Sequence, residues 1–289
     1  MHSTWMEALT FLSAPFVMCL ILAGIHCYLG LHVLARGVIF VDLSLAQVAA
    51  FGATLAVLFG FEHHSATTYF ISLGSTFIAA GLFALARRHE RLFSQEAMIG
   101  ITYALASAAV VLVVDRIAHG AEHIKDILVG QVLWVTWPDV LKVTIIYGVV
   151  SLIHFIFRRQ LIGASFGRHG GDASGTGFWD FLFYALFGVV ITSSVSMAGV
   201  LQVFSYLIVP SVVSTLFFQS IQSRLIFGWI LGFALSLIGL ILSYRWDLPA
   251  GAFIVVCFAS LPILLLLVYP FLSDNARKRI RWWSLTNKT

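Results

Sequence analysis

The feature that most constrains this chain is the number and length of its apolar runs. A helix needs about twenty consecutive apolar residues to cross the hydrocarbon core of a bilayer. The sequence supplies such runs roughly over 9–34, 38–61, 67–86, 97–114, 139–157, 179–198, 200–218, 225–243 and 250–271. Core helices of soluble domains do not reach these lengths, and the short alternating segments of a membrane β-barrel are absent. Composition agrees: 60% of residues are hydrophobic and 10% charged, where a soluble domain carries about a quarter charged residues. The chain therefore reads as an all-α polytopic membrane protein with about nine transmembrane helices, eight being the alternative count. It forms one domain over 1–289, with no soluble domain attached.

The basic residues set the orientation, because short cytoplasmic connections carry the excess of Lys and Arg. Arg36, Arg87, Arg88, Arg91, Arg158, Arg159, Arg168, Arg224, Arg277, Lys278, Arg279, Arg281 and Lys288 fall on one side. Only Arg116, Lys125, Lys142 and Arg245 fall on the other. The N-terminus is then outside and the C-terminus cytoplasmic, as nine spans require. The basic residues sit at the edges of apolar runs, so the pI near 9.1 points to no nucleic-acid partner. The tail 272–289, with "NARKRIRWW", suits anionic membrane lipid. Trp134, Trp137, Trp179, Trp282 and Trp283 stand at run ends, where interfacial belts place them. Cys19, Cys27 and Cys257 form no CxxC pair and read as packing residues. No Lys or Arg precedes Arg36, so the basic region of a signal peptide is missing.

Polar groups inside spans are functional hypotheses by default: His26, His32, Asp42, Gln47, His154 and Gln202. In the outer connection "DRIAHGAEHIKD", His119 and His123 are four residues apart with Glu122 between them, which on a helix puts both imidazoles on one face. Imidazole with carboxylate suits zinc, manganese or iron; a solvated polar loop is the alternative. "EHH", Glu62 to His64, lies on the same side. The inner connection 158–178 is rich in Gly and polar residues, so it is either a flexible linker or a docking element for a partner. No nucleophile elbow, zincin motif or Walker A sequence is present, and the chain carries no ATP site of its own.

Five segments in order resemble the membrane permeases of ABC importers for divalent metals, the ABC-3 family: "GLHVLAR" (Gly30 to Arg36), "SQEAMIG" (Ser94 to Gly100), "DILVGQVL" (Asp126 to Leu133), "GVLQVFSYLIVPSVVS" (Gly199 to Ser214) and "SYRWDLPAGA" (Ser243 to Ala252). The resemblance implies a non-enzymatic transport subunit, a multi-pass protein of the bacterial plasma (inner) membrane. It implies import of zinc, manganese or iron by alternating access, with no tightly bound cofactor and with ATP hydrolysed on a separate partner. Its partners would be a cytoplasmic ABC ATPase, an extracytoplasmic metal-binding protein and a second permease copy. The connection 158–178 would be the coupling loop, with Arg168, Asp172, Ala173 and Gly175 at the ATPase contact; Gly167 and Arg168 stand where the family motif opens with an acid.

The family's Asp-x-x-x-His metal pair is altered here. Gln47 occupies the histidine position and Leu43 that of the acid, while Asp42 stands one residue early. Asp42 and Gln47 are separated by about 140° around a helix. Asp42 then has three readings: a helix cap, an ion pair with Arg36, or a contact to the permeating ion. The metal-site candidates are accordingly Asp42, Gln47, His119, Glu122 and His123. Two other classes compete with the permease: a stand-alone ion- or proton-coupled carrier, against which the lack of an internal repeat argues, and a membrane enzyme built on His119, Glu122 and His123, which no flanking motif supports.

Overall fold

The computed structural model describes residues 2–62, 65–90, 92–117, 128–167 and 176–268. Among the described residues there are nine α-helices and no strand: α1 (His2–Arg36), α2 (Val41–Leu58), α3 (Ala66–Arg88), α4 (Gln95–Val114), α5 (Trp137–Ile156), α6 (Arg158–Phe166), α7 (Thr176–Phe217), α8 (Ile221–Trp246) and α9 (Ala250–Val268). Every one except α6 is long and apolar enough to cross a membrane, which makes eight. A short 3-10 turn, Val132–Trp134, precedes α5.

The helix starts follow from their side chains. Ser65, Ser94 and Ser220 stand just before α3, α4 and α8, and each hydroxyl accepts the backbone N–H three residues on, from Thr68, Ala97 and Ser223. Each serine thus satisfies a donor that the first helical turn leaves open. At the other end of α8, Asp247 adopts the left-handed conformation (φ 52°, ψ 47°), which Asp tolerates better than most residues. Ser243 clamps that turn: its carbonyl accepts from Leu248 N–H at 3.1 Å and its hydroxyl donates to the Leu248 carbonyl at 2.6 Å. Pro249 then begins the next turn, its carbonyl accepting from Phe253 N–H at 3.0 Å. The segment "SYRWDLPAGA" is therefore a reversal between α8 and α9.

At 42 residues, α7 would be about 63 Å long if straight, about twice the ~30 Å hydrocarbon core. It is not straight. Gly199 leaves helical geometry (φ 76°, ψ 162°), in a region open essentially to glycine alone. The break divides α7 between the segments expected at 179–198 and 200–218, so eight helices hold nine apolar segments. Gly130, also at positive φ (68°), crosses at the break. A Cβ on Gly130 would run into Ala198 and Gly199 main chain, and one on Gly199 would lie 2.8 Å from Leu128 O. Gln131 N–H donates to the Met197 carbonyl at 3.0 Å, which satisfies an acceptor that the interrupted helix abandons. Backbone breaks at membrane depth survive only with such partners.

The chain divides into two compact units, Met1–Leu31 with Val132–Thr136 and Phe204–Thr289, and His32–Gln131 with Trp137–Val203. In the first, small residues let helices approach closely, the packing device of membrane bundles. A Cβ on Gly30 of α1 would collide with Leu207 O and Ser211 Oγ of α7, and one on Gly228 of α8 with Cys27. Ser211 donates to the Cys27 carbonyl at 3.3 Å, and Trp229 Nε1–H to the Gly24 carbonyl at 2.9 Å. Buried Tyr206 stands edge-on to Phe258 at 4.9 Å and shares a hydrogen bond with Ser236 at 2.9 Å. Cys19 and Cys27 are buried, and none of the three cysteines is in a disulfide.

In the second unit α2 packs on both α3 and α4. Gly52 faces the α3 backbone at Ser72, and the Ser72 hydroxyl donates to the Ala49 carbonyl at 2.7 Å. Ala50 of α2 meets Val110 and Val114 of α4. Outward faces carry large apolar side chains, among them Ile78, Leu105, Leu112 and Leu266. Such faces suit lipid, which is as apolar as they are.

Candidate functional site

Asp42 lies in the first turn of α2 and is 1% exposed. The residue before that helix is Phe40, and no side chain caps it. The Asp42 carboxylate faces its own N–H and that of Leu43, where the positive end of the helix dipole favours an anion. Neither oxygen, however, reaches hydrogen-bond geometry. Asp42 is thus not the hydrogen-bonding cap that the sequence allows. Nor is it paired with Arg36, whose carboxylate partner is Asp180 at 2.7 Å. Ser44 Oγ, two residues on, is likewise buried without a partner. Glu96, in the first turn of α4, faces the N–H of Phe40, so a second carboxylate stands at the start of the helix that packs against α2. Gln47 is buried further along α2.

The imidazoles inside the spans are engaged by the protein. His26 Nδ1–H donates to the Leu22 carbonyl at 2.7 Å and His154 Nδ1–H to the Val150 carbonyl at 3.0 Å, each within its own helix. His32 Nδ1 is bonded to Ser165 Oγ of α6 at 2.8 Å. His32 and His154 lie edge to face, 6.4 Å between ring centres. Among the described residues no three His, Cys, Asp or Glu side chains group closely enough to hold a metal.

The most connected polar cluster joins four elements. Arg36 at the end of α1 donates through Nη1 to Asp180 Oδ1 of α7 at 2.7 Å and through Nε to Ser165 Oγ of α6 at 2.9 Å. Its guanidinium lies 4.0 Å from the centre of the Phe183 ring, an additional cation–π support. Arg87 at the end of α3 reaches Asp180 Oδ2 at 3.3 Å and donates through Nη2 to the Ala164 carbonyl of α6 at 2.9 Å. Gln95, in the segment "SQEAMIG", donates to the Phe83 carbonyl at 3.1 Å and to Tyr184 Oη at 2.7 Å.

The sequence reading missed Asp180, Ser165 and Glu96. The signal for Asp180 was present: it is the one acid in "TGFWDFLFYALF", but it stands close enough to the run's start to pass for an interfacial residue. His119, Glu122 and His123 lie outside the described residues, as do Arg168, Asp172, Ala173 and Gly175 of the connection 158–178, His63, His64 and the tail 272–289.

Known proteins resemble this chain. The manganese import system permease protein ScaB of Streptococcus gordonii is 23% identical over 270 residues, covering 92% of this chain and 93% of that protein. The manganese transport system membrane protein MntC of Listeria monocytogenes is 22% identical over 249 residues, 86% of each. Among solved structures, PsaBC from Streptococcus pneumoniae in complex with Fab has the same fold, with TM-score 0.76 at 20% identity, over 99% of this chain and 100% of that one. Residues 8–269 match the family described as the ABC 3 transport family, and they contain the Gly30 crossing, the Ser94 cap, the Gly130–Gly199 break and the Asp247 reversal: the chain belongs to the ABC 3 transport family.

Proposed function

We propose that this chain is the membrane permease subunit of an ATP-driven importer of divalent transition-metal ions, with manganese the ion that the oxygen donors at the start of α2 and α4 suit best. The observation that carries the reading is the family match over residues 8–269 on a chain with eight membrane-length helices. ATP would be hydrolysed on a separate cytoplasmic subunit, an extracytoplasmic binding protein would deliver the ion, and a second permease copy would complete the pathway. The same match weighs against a stand-alone carrier.

The choice of ion rests on the donors. His26, His32 and His154 use Nδ1 within the protein, which leaves the Nε2 side of each ring outside these bonds. The polar groups left for an ion at the start of α2 and α4 are oxygens, Asp42, Ser44 and Glu96. Oxygen donors suit manganese better than they suit zinc, which prefers nitrogen and sulfur. Asp42 supplies charge at that place, and its free oxygens favour the ion-contact reading over the other two. Gln47, where the family has histidine, replaces an imidazole with a further oxygen donor. The outer residues His119, Glu122 and His123 remain candidates for receiving the ion. Arg168, Asp172, Ala173 and Gly175, within the coupling loop 158–178, are the proposed ATPase contact.

The test is ATPase activity of the assembled complex in lipid, with its binding protein, across manganese, iron and zinc. Stimulation by manganese at the lowest concentration supports the reading. Activity indifferent to all three ions would remove the metal assignment, and a permease that works with no ATPase would remove the whole proposal.

A further inference from the structure

α6 is a nine-residue helix with one face turned inward, Leu161 and Ser165, four residues apart and both buried. Arg158, Arg159, Gln160 and Ile162 are exposed. Two apolar and polar anchors of this size would not by themselves fix so short a helix, since isolated helices under about 12 residues are marginal. What holds it is a closed polar circuit. Arg36 joins Asp180 to Ser165. Arg87 joins Asp180 to Ala164, the residue beside Ser165. One carboxylate, both of its oxygens used, thereby ties the ends of α1 and α3 to the start of α7, and both arginines carry that tie on to α6.

Side-chain exposure is 0% for Arg36, 4% for Asp180 and 19% for Arg87, so the Arg36–Asp180 pair is shielded from the screening that weakens surface pairs and the Arg87 arm less so. It also branches: Ser165, whose oxygen accepts from Arg36, is left its own proton to donate to His32 Nδ1. His32, Arg36, Arg87, Ser165 and Asp180 all belong to one compact unit. A loop helix attached at a single point could pivot. Attached through two arginines to a shared carboxylate, it must follow α1, α3 and α7 or break a buried charge pair.

We propose that Asp180 is a positioning residue for energy coupling. Through Arg36 and Arg87 it locks α6 to three membrane helices, so that a push on the loop 158–178 moves those helices rather than bending the loop. This rests on the permease reading, in which that loop meets the ATPase. Both carboxylate oxygens of Asp180 are taken up by the two arginines, and it acts through them.

The experiment uses the whole complex in proteoliposomes, with wild type, Asp180→Asn, Asp180→Glu and Ser165→Ala compared. Two ratios are read: ions transported per ATP hydrolysed, and stimulation of ATPase by the binding protein. Asp180→Asn should keep basal ATPase and lower both ratios by about tenfold, within the usual range of coupling between sites. Asp180→Glu, which retains the charge, should recover part of that loss. Ser165→Ala removes one hydroxyl and no charge, so it decides the matter if Asp180→Asn does not assemble; a smaller loss in both ratios is expected. A merely structural role would reduce the amount of complex and leave both ratios at wild-type values, and that result would overturn the proposal. Stimulation by the binding protein reads the circuit whatever the cargo is. A wild-type complex that is stimulated but carries no divalent ion would overturn the cargo assignment alone.

Discussion

Gly52→Ala adds a single methyl group at the crossing of α2 and α3. Its Cβ would sit 2.6 Å from Ser75 Oγ, 2.8 Å from Ser72 Cα and 3.1 Å from Ile71 O. The Ser75 hydroxyl can rotate away. The other two atoms are main chain and cannot. Carbon atoms pack at about 3.5–4.0 Å, so the two helices have to part by about 1 Å. They would part where Ser72 donates to Ala49 across 2.7 Å, and that bond would lengthen too. Overpacking of this kind costs about 1–3 kcal/mol. Gly74→Ala is the matched control: it is exposed on α3 and has no heavy atom within 4 Å of the new Cβ. There alanine gains up to about 1 kcal/mol over glycine through helix propensity. The assay is thermal unfolding of the purified chain in one detergent, followed by tryptophan fluorescence. Both glycines are helical and share that gain, so at roughly 2–4 °C per kcal/mol Gly52→Ala should unfold about 2–12 °C below Gly74→Ala. Gly74→Ala should match or exceed wild type. A Gly52→Ala midpoint equal to or above that of Gly74→Ala would refute the close α2–α3 packing at Gly52.

Asp42→Asn removes a buried charge whose oxygens make no hydrogen bond, so thermal stability should stay the same or rise, while ion uptake at limiting metal should fall; uptake equal to wild type would end the ion-contact role. Gly199→Ala places a side chain in a backbone region that costs a non-glycine residue about 1–3 kcal/mol, and the measured yield of folded protein should drop accordingly. Tyr206→Phe deletes the hydroxyl bonded to Ser236 and should cost about 1 kcal/mol in unfolding free energy. Ser94→Ala removes the α4 cap, a loss of about 1 kcal/mol by the same measurement.

The membrane helices were legible because hydrocarbon imposes length and polarity at once. The expected run 9–34 compares with Thr10–Arg36, and 225–243 lies within Ile221–Trp246. Even the short interval at Gly199 was visible, although a glycine there reads as a connection and not as a break inside one long helix. The resemblance picked out segments whose physical reasons the fold supplies: close approach at Gly30, a cap at Ser94, crossing main chains at Gly130 and Gly199, and a left-handed turn at Asp247. What could not be read was pairing between distant residues. Nothing in "RRQLIGASF" marks it as a helix anchored by Ser165, because its partners Arg36 and Arg87 are 129 and 77 residues away by the bonds that hold it. Asp42 invited pairing with Arg36 because the two are close in sequence, but Asp180 holds that arginine from 144 residues away.

The most direct measurement of the central claim is radiolabelled manganese uptake into proteoliposomes containing the permease and its ATPase, with the binding protein outside and ATP inside. Uptake that requires both the enclosed ATP and the external binding protein is the predicted result. Uptake by the permease alone, driven by a proton or ion gradient with no ATPase present, would contradict it.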